Sequence, residues 1–337
     1  MPGFEDLEFQ VISQELCSFC GTCINLCPRI GIGELKPMLI DYCTECGMCY
    51  AYCHRVGFPR VALLKQFKTE DTEIGPYLLI YEAKGKVEGQ DGGVVTTLLK
   101  FLFDENLIDS AVVTSDERWN PKVMVARDIK DLDRSKKSKY CLSPTVTGVK
   151  DAGKEIAFVG LPCQIQALRK AKFTKTYDVK MERVKYLIGI FCLKNFQTTL
   201  LDDFIERKSK INLSEITKLD CGGNRFSVFT DGEPAIQVSL KEISSYVGKG
   251  CLVCHDFAAD LADISVGSVG ASKGFSSVIV RSEKGKDVFE GALKKEYLET
   301  RELSNLKKII NLSKKKKRNA SKVIEERREK GLRVTRW

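Results

Sequence analysis

Eight of the chain's fourteen cysteines fall within its first 53 residues, in two blocks of identical spacing. Cys17, Cys20, Cys23 and Cys27 form the first block, and Cys43, Cys46, Cys49 and Cys53 the second. Each reads Cys-x2-Cys-x2-Cys-x3-Cys, the spacing of chains that hold two cubane iron–sulfur clusters. Two-residue gaps let one tight loop aim three thiolates at one cubane, while the fourth sits too far around the following turn and serves the other. The spacing therefore assigns Cys17, Cys20, Cys23 and Cys53 to one [4Fe–4S] cluster, and Cys43, Cys46, Cys49 and Cys27 to a second. Gly21 and Gly47 hold equivalent places, where a missing side chain lets backbone amides approach sulfur. Structural zinc needs only four tetrahedral ligands, and tandem blocks are not its habit. His54, after the last cysteine, is read as a turn residue.

Fourteen cysteines would suit an oxidised, secreted fold, but Met1 to Gln14 is acidic and carries no Lys or Arg, so no secretory leader is read there. No run approaches 18 apolar residues, which argues against a membrane span. Reduced cysteines in a cytoplasmic protein are the expectation, and these are metal-ligand candidates. Of the formal charge of +9, most is terminal: Ser313 to Trp337 holds eleven Lys or Arg against three Glu. That end reads first as a solvated, partly helical tail. A docking arm for an acidic partner subunit comes next, and a contact with an anionic membrane, as in peripheral attachment on the cytoplasmic face of a membrane complex, after that. The near-neutral body offers no nucleic-acid module.

Three regions follow: a ferredoxin-like domain over 1–62, a larger mixed α/β domain over 63–300 and a basic helical tail over 301–337. The fold class expected is α+β. Tyr77 to Ala83, Ser110 to Thr114, Glu155 to Val159, Tyr186 to Phe191 and Phe275 to Arg281 read as strands. Val94 to Phe103 and Cys163 to Ala171 read as helices, the second with Pro162 in its first turn. Strand, glycine turn and helix recur, so sheet-edge loops would present ligands.

Cys163 and Cys192 each follow a buried strand, and Cys251 and Cys254 have chelating spacing. A third cluster on these four is expected, with a thioredoxin-like dithiol at Cys251 and Cys254 as the alternative. Cys141 and Cys221 read as small buried residues, Cys221 being the reserve ligand.

Four stretches then carry a resemblance: Gly89-Gln-Asp-Gly-Gly-Val-Val-Thr96, Lys136-Lys-Ser-Lys-Tyr140, Phe158 to Leu168 around Gly160-Leu-Pro-Cys163, and Cys251 to Gly267. The chain resembles the beta-subunit family of coenzyme F420 hydrogenases and dehydrogenases over about 77–285. The resemblance implies an FAD that exchanges hydride with F420 and single electrons with an adjacent cluster. It implies an F420H2 dehydrogenase, electron-input subunit that feeds a partner subunit or a soluble ferredoxin. An F420-reducing subunit and a non-catalytic relay are the alternatives.

Under that resemblance, Gly89, Gln90, Asp91, Gly92, Gly93 and Thr96 are flavin-contact candidates; the plainer reading is a β-turn before a core helix. Ser138 could donate a hydroxyl, Lys139 neutralise a phosphate or the flavin, and Tyr140 stack, although the Arg134 to Lys139 stretch also fits a solvated face. Gly160, Pro162, Gly267 and Gly270 shape turns at or near the cofactor. His255 and Asp256 are the candidates for proton management, with Gln90 and Asp91 beside them as catalytic candidates. The anionic tail of F420 needs a basic pocket, for which Lys136, Lys137 and Arg169 are proposed.

Overall fold

The computed structural model describes residues 2–176 and 180–335. In the amino-terminal part, α1 (Phe4–Leu7), α2 (Thr22–Leu26) and α3 (Met48–Ala51) surround a hairpin of β1 (Ile30–Ile32) and β2 (Pro37–Leu39), and α4 (Arg60–Leu64) leads out. The internal repeat is written in the backbone. Phe19 and Glu45 both adopt φ near +54°, and Gly21 (φ +94°) and Gly47 (φ +78°) both precede a helix. A Cβ on Gly21 would also stand 2.4 Å from the Pro144 carbonyl oxygen, so only glycine fits.

Eight strands make the large sheet: β3 (Leu79–Gly85), β4 (Ser110–Glu117), β5 (Asn120–Ala126), β6 (Ile156–Gly160), β7 (Val184–Ile190), β11 (Ile264–Gly267), β12 (Ser276–Val280) and β13 (Leu298–Arg301). Their order is β13-β3-β12-β11-β7-β6-β4-β5. The inner four, β11, β7, β6 and β4, run parallel, and every flanking pair is antiparallel. Parallel strands covered on both faces need unbroken apolar runs, and β6 is buried at all five positions. Helices α5 (Val94–Asp104) and α7 (Glu283–Lys294) cover one face through Leu98, Leu102, Phe289 and Ala292. On the other, α6 (Pro162–Phe173) contributes Ile165 and Leu168 to a core that Tyr52, Phe58 and Leu63 enter from the amino-terminal part. The expected boundary at 62–63 therefore runs through α4, whose Leu63 is buried.

A second, antiparallel sheet of β8 (Ile216–Gly222), β9 (Arg225–Thr230) and β10 (Glu233–Ser239) has order β10-β9-β8 and packs Phe226 and Val228 on Phe196, Leu200 and Ile205. The seven elements read from sequence each lie within about three residues of an observed one at either end.

The basic end is helical, as read, but it is not a solvated tail. Leu306–Glu329 is one 24-residue helix, α8, capped by the Asn305 side chain, which accepts the Lys308 N–H at 3.0 Å. Ile309, Ser313, Lys316, Ala320 and Ile324 form a buried stripe at spacings of four, three, four and four. The charge run sits on the remaining faces, which is why composition alone concealed the packing. Arg327 fastens the far end by donating to the Gln14 carbonyl at 2.8 Å. Arg336 and Trp337, also read as tail, lie outside the described residues. Among the described residues no helix is long and apolar enough to cross a membrane.

Candidate redox site

The twelve singled-out cysteines fall into three groups of neighbours. Burial pushes the Cys17 thiol up to about 12, helped by Cys20 and Cys53 nearby. Cys23 is raised by burial and by Cys17, Cys20 and Cys53. Burial, then Cys27, Cys43 and Cys46, raise Cys49 to about 12. The fourth cysteine of each block thus sits with the other block. Cys163 is raised well above its ordinary value by burial, then by Cys254, Cys251 and Cys192. The groups lie within electrostatic range of one another in series: Cys163 feels Cys20, and Cys23 feels Cys49.

These surroundings fit iron–sulfur clusters. Partly buried thiols gathered together stay protonated unless a metal replaces the protons. Backbone amides already face sulfur, Phe19 N–H to Cys17 Sγ and Glu45 N–H to Cys43 Sγ, both at 3.4 Å. Among the described residues, no three His, Cys, Asp or Glu side chains converge as ligands of one bare ion. A four-iron cubane spreads its thiolates wider than a single zinc does. His54 is a turn residue, as read, and it is buried. Its Nε2 lies 3.4 Å from Ser18 Oγ and its Nδ1 3.9 Å from Cys20 Sγ, while burial, then Arg55 and Lys170, hold it neutral.

Beside the third group opens a cavity of about 1020 Å³, at the top of the ~300–1,000 Å³ range of small-molecule sites. It lies at the carboxyl ends of β6, β7 and β11, where Gly160, Ile190 and Gly267 line it, the place where parallel sheets present ligands. Cys192 is common to the cavity wall and the third cysteine group.

Of the flavin candidates, Gly89, Gln90, Asp91, Gly93, Thr96, Ser138, Lys139, Tyr140, Gly160 and Gly267 line this cavity. Gly92, Pro162 and Gly270 do not. A Cβ on Gly92 would stand 2.5 Å from the Ala83 carbonyl oxygen, so that glycine serves the tight turn before α5. Pro162 opens α6, and Gly270 accepts the Asn305 N–H at 2.9 Å where α8 begins. Burial raises the Asp91 carboxyl, against the pull of Lys218.

Lys139 is already committed. Its ammonium donates to the carbonyls of Ser135 (3.2 Å), Lys136 and Lys137 (3.0 Å), and pairs with Asp116 at 3.4 Å. Those bonds stitch the 135–139 loop, so it is a poor phosphate counter-ion. Tyr140 meets Phe226 edge to face, centroids 6.2 Å apart. Arg169, expected in a basic pocket, is outside the cavity and is bound to Asp263 (2.8 Å) and to the Leu261 carbonyl. Lys136 and Lys137 do line it, Lys136 paired with Asp133 at 2.7 Å and Lys137 donating to the Thr217 carbonyl at 2.8 Å.

His255 and Asp256 line no part of the cavity. Asp256 accepts from Gln166 Nε2 and from the Asp260 N–H, both at 3.1 Å. His255 Nε2 meets Ser321 Oγ of α8 at 3.2 Å, and burial, then Arg55 and Lys317, bring it down to about 4.

The sequence reading missed the cavity mouth. Lys194, Lys307, Lys308 and Lys315 line it and form no carboxylate ion pair among the described residues; Lys315 donates to Asn224 Oδ1 at 3.0 Å. Three of the four belong to the segment 301–337 read as a basic tail. The signal that could have found them is the apolar stripe of α8 beneath the charges.

Comparison with known proteins fits this architecture. Residues 80–150 match the family model described as Coenzyme F420 hydrogenase/dehydrogenase, beta subunit N-term, and residues 153–305 match its counterpart for the carboxyl-terminal part of the same beta subunit. The chain is 36% identical over 338 residues to a coenzyme F420-dependent sulfite reductase of Methanocaldococcus jannaschii, covering 95% of this chain and 52% of that protein, about half its length. It is 37% identical over 256 residues to the coenzyme F420 hydrogenase subunit beta of Methanothermobacter thermautotrophicus, covering 72% of this chain and 90% of the relative. A chain of the F420-reducing [NiFe] hydrogenase complex from Methanosarcina barkeri superposes with a TM-score of 0.74 at 30% identity, over 79% of this chain and 97% of that one. The chain belongs to the coenzyme F420 hydrogenase/dehydrogenase beta-subunit family.

Proposed function

We propose that this chain is the F420-oxidising, electron-input subunit of an oxidoreductase. In this reading it holds FAD and receives coenzyme F420 in the sheet-edge cavity, and its twelve grouped cysteines carry three [4Fe–4S] clusters toward a partner subunit or ferredoxin. The observation that carries the reading is Cys192, which belongs both to the cavity wall and to a cysteine group. When bound, FAD supplies the exchange between two-electron hydride chemistry and one-electron transfer.

The residues have matching tasks. Gln90 and the 135–140 loop orient the ring system against the strand ends. Lys194, Lys307, Lys308 and Lys315 offer charge to the anionic arms of the ligands. The cysteine groups form a series from the cavity to the second block, where Ile40 and Tyr42 are exposed beside Cys43, a face suited to a redox partner. The likeness to F420 hydrogenase beta subunits favours a second reading, in which the same route runs backwards to reduce F420.

Anaerobic purification with iron, sulfide and flavin analysis tests the proposal. Roughly twelve iron atoms, four for each of three cubanes, with one FAD and F420-dependent dye reduction support it. Eight iron atoms without flavin would sink the assignment of the larger domain.

A further inference from the structure

The helix α8 lies beyond the segment that matches the family models, which ends at residue 305. From its buried stripe it sends Lys316 inward. The Lys316 ammonium donates to the carbonyl oxygens of Cys192 and Asp256, each at 2.6 Å. The side chain is only 5% exposed, and no carboxylate forms an ion pair with it among the described residues. The nearest acid, Asp256, gives its carboxylate oxygens to Gln166 and to the Asp260 amide instead.

A buried ammonium without an anion is costly, and two carbonyl dipoles answer only part of that cost. The remaining answer lies in what surrounds it: Cys254, Cys192, the Asp256 carboxylate, which forms no ion pair with it, and Cys251 are all within its electrostatic reach. A comparable arrangement stands one group further on, where buried Lys170 donates to the Cys53 carbonyl at 2.7 Å. In both places a lysine side chain grips the backbone of a cysteine in a group and holds its charge there.

We propose that Lys316 sets the reduction potential of the cluster held by Cys163, Cys192, Cys251 and Cys254, by fixing a permanent positive charge beside it. The inference rests on the three-cluster reading above. A nearby cation favours the state with one more electron, so this cluster becomes the easier one to reduce from the cavity side. Lys316 does not line the cavity; it acts through the cluster, as a positioning and tuning residue. A purely structural role, as a clamp between α8 and the 192 and 256 loops, would require the hydrogen bonds but not the charge near sulfur.

The test is a potentiometric titration of the anaerobically purified full chain, followed by electron paramagnetic resonance. Cys251→Ala serves to identify the third-cluster signal. Lys316→Met is expected to lower the midpoint of that signal alone, while Lys316→Arg keeps it near the parent value. Lys317→Met, which removes the next lysine, paired with Glu73 at 3.0 Å, is expected to leave it in place. An unchanged midpoint in Lys316→Met overturns the proposal, and so does an equal shift of all three signals. If Lys316→Met fails to hold the third cluster, Lys316→Gln, which keeps a hydrogen-bond donor without the charge, decides: a lowered midpoint supports the role of charge, and a parent-like midpoint overturns it. A parent protein with eight iron atoms and no third signal removes the three-cluster reading itself, an outcome the iron count separates from the others.

Discussion

Gln90 accepts the backbone N–H of Ser138 at 2.9 Å through its Oε1, while its Nε2 donates to the Leu219 carbonyl at 3.2 Å. One carboxamide thus joins the glycine turn, the lysine-rich loop and the small sheet, three separate walls of the cavity. Gln90→Ala is expected to destabilise the fold by about 1–2 kcal/mol, from two lost hydrogen bonds. It should also weaken flavin retention about tenfold, since the walls lose register. Denaturant unfolding and fluorescence titration with FAD check the two effects; tight flavin binding in the variant would show that Gln90 is dispensable to the site.

Cys251→Ala is expected to remove one cluster and spare two, lowering iron from roughly twelve to roughly eight per chain. Electron flow from the flavin to the first ferredoxin-like group should stop. Iron analysis and stopped-flow reduction of the clusters read both, and unchanged transfer would remove this group from the route.

Replacing Lys307 and Lys308 together by alanine should raise the KM for F420 about fivefold, with kcat nearly constant, because uniform binding is lost and not the chemistry. The parent KM should rise with ionic strength, and the double variant should respond less. A deazaflavin lacking the phosphate and glutamate arm should not distinguish the two proteins. Flavin content should be equal in both; a loss of FAD would instead place those lysines on the flavin pyrophosphate.

Glu82 on β3 gathers the start of α8 to the sheet. It accepts from the Ser272 N–H (2.9 Å), from Ser304 Oγ (2.7 Å) and from Arg301. Burial pushes its carboxyl up, but the bonds from Ser304, Ser272 and Arg301 prevail and bring it down to about 2. A carboxylate lowered in the folded state stabilises the fold above its unfolded value near 4.5, and that stabilisation is lost as pH falls toward 2. Unfolding free energies measured across this window should decline with acid. Glu82→Gln should flatten that decline and cost about 1.5–3 kcal/mol at neutral pH, the worth of a hydrogen bond to a charged group. An unchanged slope would mean that other carboxylates govern acid stability.

The chain declared its cysteine groups openly, because ligand spacing is local and the fourth-cysteine exchange follows from loop reach. Its buried strands were equally legible, since parallel strands under two layers lack alternation. What could not be read was long-range. Lys139 looked like a free cation until the loop folded its three carbonyls onto it. Arg169 looked like a pocket residue until Asp263 came beside it from 94 residues away. The strands β8–β10 alternate charged and apolar residues weakly, and β10 is largely exposed, so neither periodicity nor burial marked them. The last helix was hidden most thoroughly, by a charge run that obscured a five-residue stripe.

That helix has a metric consequence. At about 1.5 Å per residue, Lys308 at the cavity mouth, Lys316 by the third cysteine group and Ile324 against the ferredoxin-like block stand about 12 Å apart in turn along a single rod. The carboxyl-terminal segment is therefore a ruler laid beside the cavity and the cysteine groups, and its graduations are angular as well as linear. One residue inserted between Lys308 and Lys316 would turn everything downstream by about 100°, swinging the Lys316 charge off its mark while leaving every cysteine where it was.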